Sequence, residues 1–132
     1  MKFVDSNIFI HVLTESPEKS YEISRSILQR IENGEEALTS TAVIQEVLDW
    51  LEYNNHRKEV KIFVSALNSY HTLRKANNEW KDFPAAAEDA EKHGMDFVDA
   101  LTLQVMKRER MDEIYSNDLD FDRVEGIKRI FE

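Results

Sequence analysis

The sequence has no cysteine, only three glycines and two prolines, and no long apolar run. The absence of cysteine excludes disulfide frameworks, thiolate zinc sites, iron–sulfur clusters and a cysteine nucleophile, and it fits a reducing compartment. The scarcity of glycine and proline, together with 42% hydrophobic and 33% charged residues, excludes a fibrous repeat or a disordered tail. A chain of 132 residues predicts one helix-rich globular domain, residues 1–132.

The sequence also lacks the signals of a membrane protein and of a basic nucleic-acid binder. No stretch approaches the roughly 18 apolar residues of a membrane span, and Asp5 interrupts the apolar start that a signal peptide would need. We therefore expect a cytoplasmic protein with no membrane partner. The net charge of -9 provides no positive field. An enzyme that binds cations through carboxylates is nevertheless acidic even when its substrate is a polyanion.

Hydrophobic spacing predicts an alternation of short strands and helices. The strands are predicted at residues 2–5, 36–39, 71–74, 113–116 and 128–131. The helices are predicted at residues 8–13, 17–33, 41–53, 58–70, 84–93 and 96–110, with Ser6 and Asn7 as caps of the first. An acid-rich loop is predicted at residues 117–126. Short strands separated by helical crossovers indicate a three-layer α/β/α sandwich with a short parallel central sheet.

Four acidic residues occupy positions where an α/β sheet collects ligands. Asp5 ends the first strand, and Asp118 follows the fourth strand after one intervening residue. Asp99 lies in the first turn of the most apolar helix, and Glu46 lies on another largely apolar helix. Each acid taken singly has an ordinary explanation as a cap, a dipole partner or a solvated side chain. Those explanations do not account for the set of four, which we expect to meet in the crevice beyond the strand ends.

Carboxylates brought this close together repel each other unless a divalent cation supplies the opposing charge. Oxygen ligands, without cysteine or paired histidines, favour Mg²⁺ or Mn²⁺ over zinc. An ion held in this way activates a coordinated water and stabilises a leaving oxygen, and phosphodiester hydrolysis is a natural use of that chemistry. The sequence therefore predicts a Mg²⁺ or Mn²⁺ site at Asp5, Glu46, Asp99 and Asp118.

Four segments of the chain, FVDSN, TAVIQEV, GMDFVDALTL and IYSNDLDFDRVEGI, resemble in order the motifs of the PIN-domain family, which includes VapC-type toxins. The resemblance covers essentially the whole chain. It implies a PIN-like fold and a metal-dependent endoribonuclease whose catalytic and metal-binding acids are Asp5, Glu46, Asp99 and Asp118. Matches to further positions of the motifs imply supporting roles for Asn7, Asp96, Ser116 and Asp120.

The resemblance also implies partners. VapC-type proteins are commonly homodimers that an antitoxin segment holds inactive, so we expect an RNA substrate, an antitoxin and a homodimer. Exposed apolar residues in the helical arm at residues 42–67 are the predicted antitoxin groove. Two other functions stay open at this point: a stand-alone RNA-processing PIN protein, and a non-catalytic Mg²⁺-binding partner or receiver-like module. An aspartyl-phosphate enzyme is a weaker alternative, because such enzymes have a second aspartate two residues after the first, where this chain has Asn7.

Other chemistry-bearing residues give weaker signals. The run Asp118, Asp120 and Asp122 resembles the start of a calcium loop, but Arg123 occupies the glycine position and Arg129 the bidentate glutamate position. The four histidines have no metal-ligand spacing, and we assign them no catalytic role. Several aromatic side chains and the basic end of the last helix are possible RNA contacts that spacing cannot distinguish from packing or solvated residues; these are Trp50, Tyr53, Tyr70, Trp80, Lys107, Arg108 and Arg110.

Overall fold

The computed structural model describes all 132 residues and contains five strands, six α-helices and one short 3₁₀-helix. The strands are β1 (Lys2–Val4), β2 (Ala37–Ser40), β3 (Leu73–Ala76), β4 (Glu113–Tyr115) and β5 (Lys128–Ile130). The helices are α1 (Ser6–Thr14), α2 (Glu18–Glu32), α3 (Thr41–Tyr53), α4 (Lys58–Ser69), α5 (Asp82–His93) and α6 (Phe97–Arg108), and the 3₁₀-helix spans Leu119–Arg123. No helix is both long enough and apolar enough to cross a membrane.

The five strands form one parallel sheet in the order β3-β2-β1-β4-β5. A pair of helices connects β1 to β2, a second pair connects β2 to β3, and a third pair returns the chain from β3 to β4. Parallel neighbours require such crossovers, since a tight turn can only join antiparallel strands. The predicted α/β sandwich with a parallel central sheet is confirmed.

The core is built around the three inner strands, β2, β1 and β4. Phe3 and Val4 of β1 and Ile114 of β4 are fully inaccessible to solvent, in a cluster of 26 buried hydrophobic residues. Helix α6 is the most buried helix, as its nearly continuous apolar sequence predicts. Residues that directly follow β1 and β4 therefore extend from buried inner strands of the sheet.

Three local predictions are wrong in detail. Ser6 and Asn7 are the first residues of α1 rather than its caps, because the carboxylate of Asp5 accepts the hydrogen bond from the Ser6 backbone N–H at 2.8 Å. Strand β3 begins at Leu73, two residues later than predicted, because Leu73 is the residue that turns into the core. The predicted loop at residues 117–126 contains the 3₁₀-helix, whose N-cap is Asp118.

Candidate functional site

The order of strands identifies the place where a ligand is expected. From β1 the chain proceeds outward through β2 to β3 and then returns to the other side of β1 as β4. The connections thus diverge between β1 and β4, and open α/β sheets bind ligands in the crevice beyond the strand ends at such a point. Asp5 directly follows β1, and Ser116 directly follows β4. The backbone N–H of Asp5 donates to the carbonyl oxygen of Tyr115 at 3.1 Å, which aligns the two strand ends.

Asp5 is the centre of a hydrogen-bond network that joins the two ends of the chain. Its Oδ2 atom accepts hydrogen bonds from the Ser116 hydroxyl at 2.6 Å and from the Asn7 amide at 3.1 Å. Ser116 Oγ in turn accepts from the Asp118 backbone N–H at 3.0 Å, and Asn7 Oδ1 accepts from the Asn117 backbone N–H at 3.0 Å. Asn7 and Ser116 therefore hold the loop that carries Asp118 against the end of β1.

Glu46 reaches the same crevice from α3, which begins at the end of β2 with Ser40 as its N-cap. The hydroxyl of Ser6 donates to Glu46 Oε1 at 2.6 Å and so links α1 to α3. The role of Ser6 is absent from the sequence-based prediction, which treats it as a helix cap. No local signal could have revealed it, because its partner lies 40 residues away along the chain.

Asp99 enters from the first turn of α6, where it is only 6% exposed. Carboxyl oxygens of Asp99, Asp118 and Asp120 lie within 4.8 Å of one another, a spacing that a single metal ion can span. Asp120 is also paired with Arg123 at 2.8 Å. Asp96 is exposed at the N-cap position of α6, where its side chain makes no capping hydrogen bond. The structure thus brings all eight predicted positions to one region, with Asp96 at its margin.

The carboxyl groups of this region perturb one another strongly. Burial raises the pKa of Asp5 from 3.8 to about 6, against the opposing effect of the hydrogen bonds from Ser116 and Ser6. Burial, followed by repulsion from Asp5, Asp118 and Glu46, raises the pKa of Asp99 to about 9. Burial also raises the pKa of Glu46, with further contributions from its acidic neighbours and an opposing one from the Ser6 hydroxyl.

This electrostatic pattern fits a divalent cation. A cation placed between the acids lowers their pKa values and replaces the protons that they otherwise retain. The donor atoms are all oxygens, which suits hard ions such as Mg²⁺ and Mn²⁺. Two overlapping ligand sets are available: the predicted acids Asp5, Glu46, Asp99 and Asp118, and the compact group in which Asp120 joins Asp99 and Asp118.

The basic residues at the end of α6 and the buried His11 contact protein side chains outside the acid cluster. Arg108 donates two hydrogen bonds from Nη1 to the buried carboxylate of Asp82, at 2.7 and 2.8 Å, and Lys107 pairs with Asp89. Arg108 therefore links α6 to α5 through this ion pair. His11 is buried, and its Nδ1 is 2.9 Å from the hydroxyl of Ser24.

A family model for the PIN domain matches residues 2–127 of the chain. The chain belongs to the PIN domain family. This match confirms the resemblance carried by the four sequence segments, and it covers every residue of the acid cluster. A search of curated proteins finds no match to this sequence.

Solved structures confirm a VapC-like fold for this PIN-domain protein. The crystal structure of the Mycobacterium tuberculosis toxin VapC20, which cleaves the sarcin-ricin loop, superposes with a TM-score of 0.76 and 18% identity, covering 92% of this chain and 93% of that one. VapBC2 from Rickettsia felis, bound to a promoter DNA fragment, gives 0.71 and 13%, with coverage of 98% and 96%. A toxin–antitoxin complex from Klebsiella pneumoniae gives 0.64 and 17%, with coverage of 97% and 96%.

Proposed function

We propose that this PIN-domain protein is a metal-dependent endoribonuclease that hydrolyses RNA phosphodiester bonds at the acid cluster. The observation that carries the proposal is the convergence of Asp5, Glu46, Asp99 and Asp118 at the point where the sheet connections diverge. Burial and mutual repulsion raise the pKa of Asp5, of Glu46 and of Asp99, which favours a divalent cation as the neutralising partner. Membership in the PIN family supports this use of the site.

The mechanism assigns a role to each acid. Asp5, Asp99 and Asp118, with Asp120 beside them, would hold one or two Mg²⁺ or Mn²⁺ ions. When bound, such an ion supplies a Lewis acid that lowers the pKa of water and neutralises charge on the phosphate. Glu46 orients the attacking water and accepts its proton at Oε2, because Oε1 is already bonded to Ser6.

In-line attack of water on phosphorus breaks the bond to the 3′ oxygen of the preceding nucleotide. That oxygen takes up a proton as it leaves, so the products carry a 5′-phosphate and a 3′-hydroxyl. Asn7 and Ser116 act as positioning residues, since both donate to Asp5 Oδ2.

We further propose that the protein is the toxin of a toxin–antitoxin pair, acts in the cytoplasm and forms a homodimer. Two of the structural neighbours are complexes of a toxin with its antitoxin. Helix α4, in the predicted helical arm, leaves Ile62 59% exposed and Val64 46% exposed. An amphipathic antitoxin helix could cover such exposed apolar side chains.

Substitution of Asp5 by asparagine tests the nuclease. We expect Asp5→Asn to lose RNA cleavage by at least about a hundredfold, the order of magnitude for losing a principal catalytic interaction. Thermal unfolding should show that the fold is retained. Asp112→Asn is the matched control, because Asp112 is exposed and lies outside the acid cluster. Full cleavage by Asp5→Asn, in a preparation free of contaminating nuclease, would refute the assignment, as would products that carry a 3′-phosphate.

A further inference from the structure

A cleft opens beside the acid cluster, between α1 and the C-terminal half of α3. One wall is a single face of α1, from Asn7 through His11 to Thr14, and the other wall contains Trp50 and His56. Trp50 lies one helical turn beyond Glu46 on α3, since residues four apart share a face. Asn7 belongs both to this cleft and to the network around Asp5. The α1–α3 cleft is therefore continuous with the proposed catalytic site.

The α1–α3 cleft differs chemically from the acid cluster. Its volume is about 630 Å³, and its lining contains neither a lysine or arginine nor an acidic residue. The rings of Trp50 and His56 stack at its far end, with centroids 5.7 Å apart and an interplanar angle of 20°. His11 Nδ1 is bonded to Ser24, and no protein hydrogen bond reaches its Nε2 atom. The Glu59 carboxylate lies 3.6 Å from His56 Nδ1. The cleft thus offers a flat aromatic surface and polar groups, but no lysine or arginine for a phosphate.

These are the features that recognise a nucleobase. Any base can stack on an aromatic side chain, because every base has a flat π-face. Unpaired bases also present their edges to hydrogen-bond donors and acceptors of the protein. A base can enter such a cleft only when it is unpaired, because the bases of a duplex are held in the stack. A phosphate, in contrast, is drawn to a cation at the acid cluster.

We propose that the α1–α3 cleft binds one unpaired nucleobase of the RNA, adjacent to the phosphate at the acid cluster, with Trp50 as its stacking surface. This inference rests on the proposed nuclease function and assigns the base next to the cleaved phosphate to the α1–α3 cleft. Trp50 is a binding residue for that base, and Asn7 connects base binding to the position of Asp5.

Tryptophan fluorescence tests the inference directly, because the chain has only two tryptophans, Trp50 and Trp80. Trp80 is 79% exposed and stacks on Phe83 of α5, outside the cleft. In a non-cleaving Asp5→Asn background with Mg²⁺, Trp80→Phe leaves Trp50 as the sole reporter, and Trp50→Phe leaves Trp80. Both proteins are titrated with a short single-stranded RNA and with the same sequence as a duplex.

We expect saturable quenching of Trp50 by the single strand, weak or no quenching by the duplex, and no change in Trp80. In the same background, Trp50→Ala should weaken single-strand binding by about 5- to 150-fold, the factor that corresponds to losing one stacked base. Trp80→Ala should leave the affinity unchanged. The fluorescence measurement keeps the native Trp50, so it remains decisive if Trp50→Ala folds poorly.

The two proposals fail in different ways. If the wild type cleaves RNA, but RNA does not change Trp50 fluorescence and Trp50→Ala does not change single-strand affinity, the cleft is overturned and the nuclease is left intact. Quenching of Trp50 by RNA that the wild type never cleaves would retain the cleft and refute the nuclease. Equal binding of the single strand and the duplex, with Trp80 reporting both, would also overturn the cleft.

Discussion

Asp99→Asn should stabilise the metal-free protein and at the same time remove most of its stabilisation by Mg²⁺ or Mn²⁺. Burial and repulsion from its acidic neighbours raise the pKa of Asp99 to about 9, whereas the unfolded chain releases this proton near 3.8. At pH 7 the folded protein must therefore retain a proton that the unfolded chain has lost, which costs up to about 4 kcal/mol. Asparagine resembles the protonated acid in shape and avoids that cost. Each kcal/mol is equivalent to roughly 4 °C in the unfolding midpoint of a domain of this size.

Thermal unfolding at pH 7, in EDTA and in excess Mn²⁺, provides the assay. In EDTA the midpoint of Asp99→Asn should lie above that of the wild type, with Asp112→Asn as the exposed control. An ion that binds only the folded state, at 100 times its dissociation constant, adds about 2.7 kcal/mol. The wild type and Asp112→Asn should show that gain and Asp99→Asn should not. Equal midpoints in EDTA, or equal shifts with Mn²⁺, would refute the electrostatic reasoning.

Three further predictions follow from individual contacts. The pKa of Asp5 is raised to about 6 and that of Asp99 to about 9, so their contribution to metal-free stability is complete below pH 3.8 and is lost as the pH rises through 6 and 9. Chemical denaturation between pH 5 and pH 9 should show this decline in the free energy of unfolding. A flat profile would contradict the prediction. Ser6→Ala removes a hydrogen bond that lowers the pKa of Glu46, so the acidic limb of the cleavage pH profile should move to higher pH; an unmoved limb would exclude Glu46 as the base. Arg108→Ala leaves the buried carboxylate of Asp82 unpaired and should destabilise the protein by about 3 kcal/mol in denaturant titrations, whereas Lys107→Ala, at a more exposed pair, should cost much less.

The secondary structure was predictable wherever its cause is local. The strand at residues 2–4 and the helix at residues 97–108 follow from the spacing of apolar residues and from residues close to their ends that favour turns or caps. The errors occur where the deciding contact is remote. The start of β3 depends on pairing with β2, in a register that places Leu73 opposite Ala37. Asp5 lies between the end of β1 and the start of α1, and its side chain is the N-cap of the helix.

Residue type and chain position were sufficient to nominate the acids and the ion that suits them, because burying carboxylates together has few physical solutions. Their relation to one another required the folded chain. The hydrogen bond between Ser6 and Glu46 spans 40 residues, and that between Ser116 and Asp5 spans 111. The α1–α3 cleft arises only when two helices distant in sequence present their faces to each other. Strand order, which spacing along one chain cannot encode, brings the ends of β1 and β4 side by side and so sets where the acids converge.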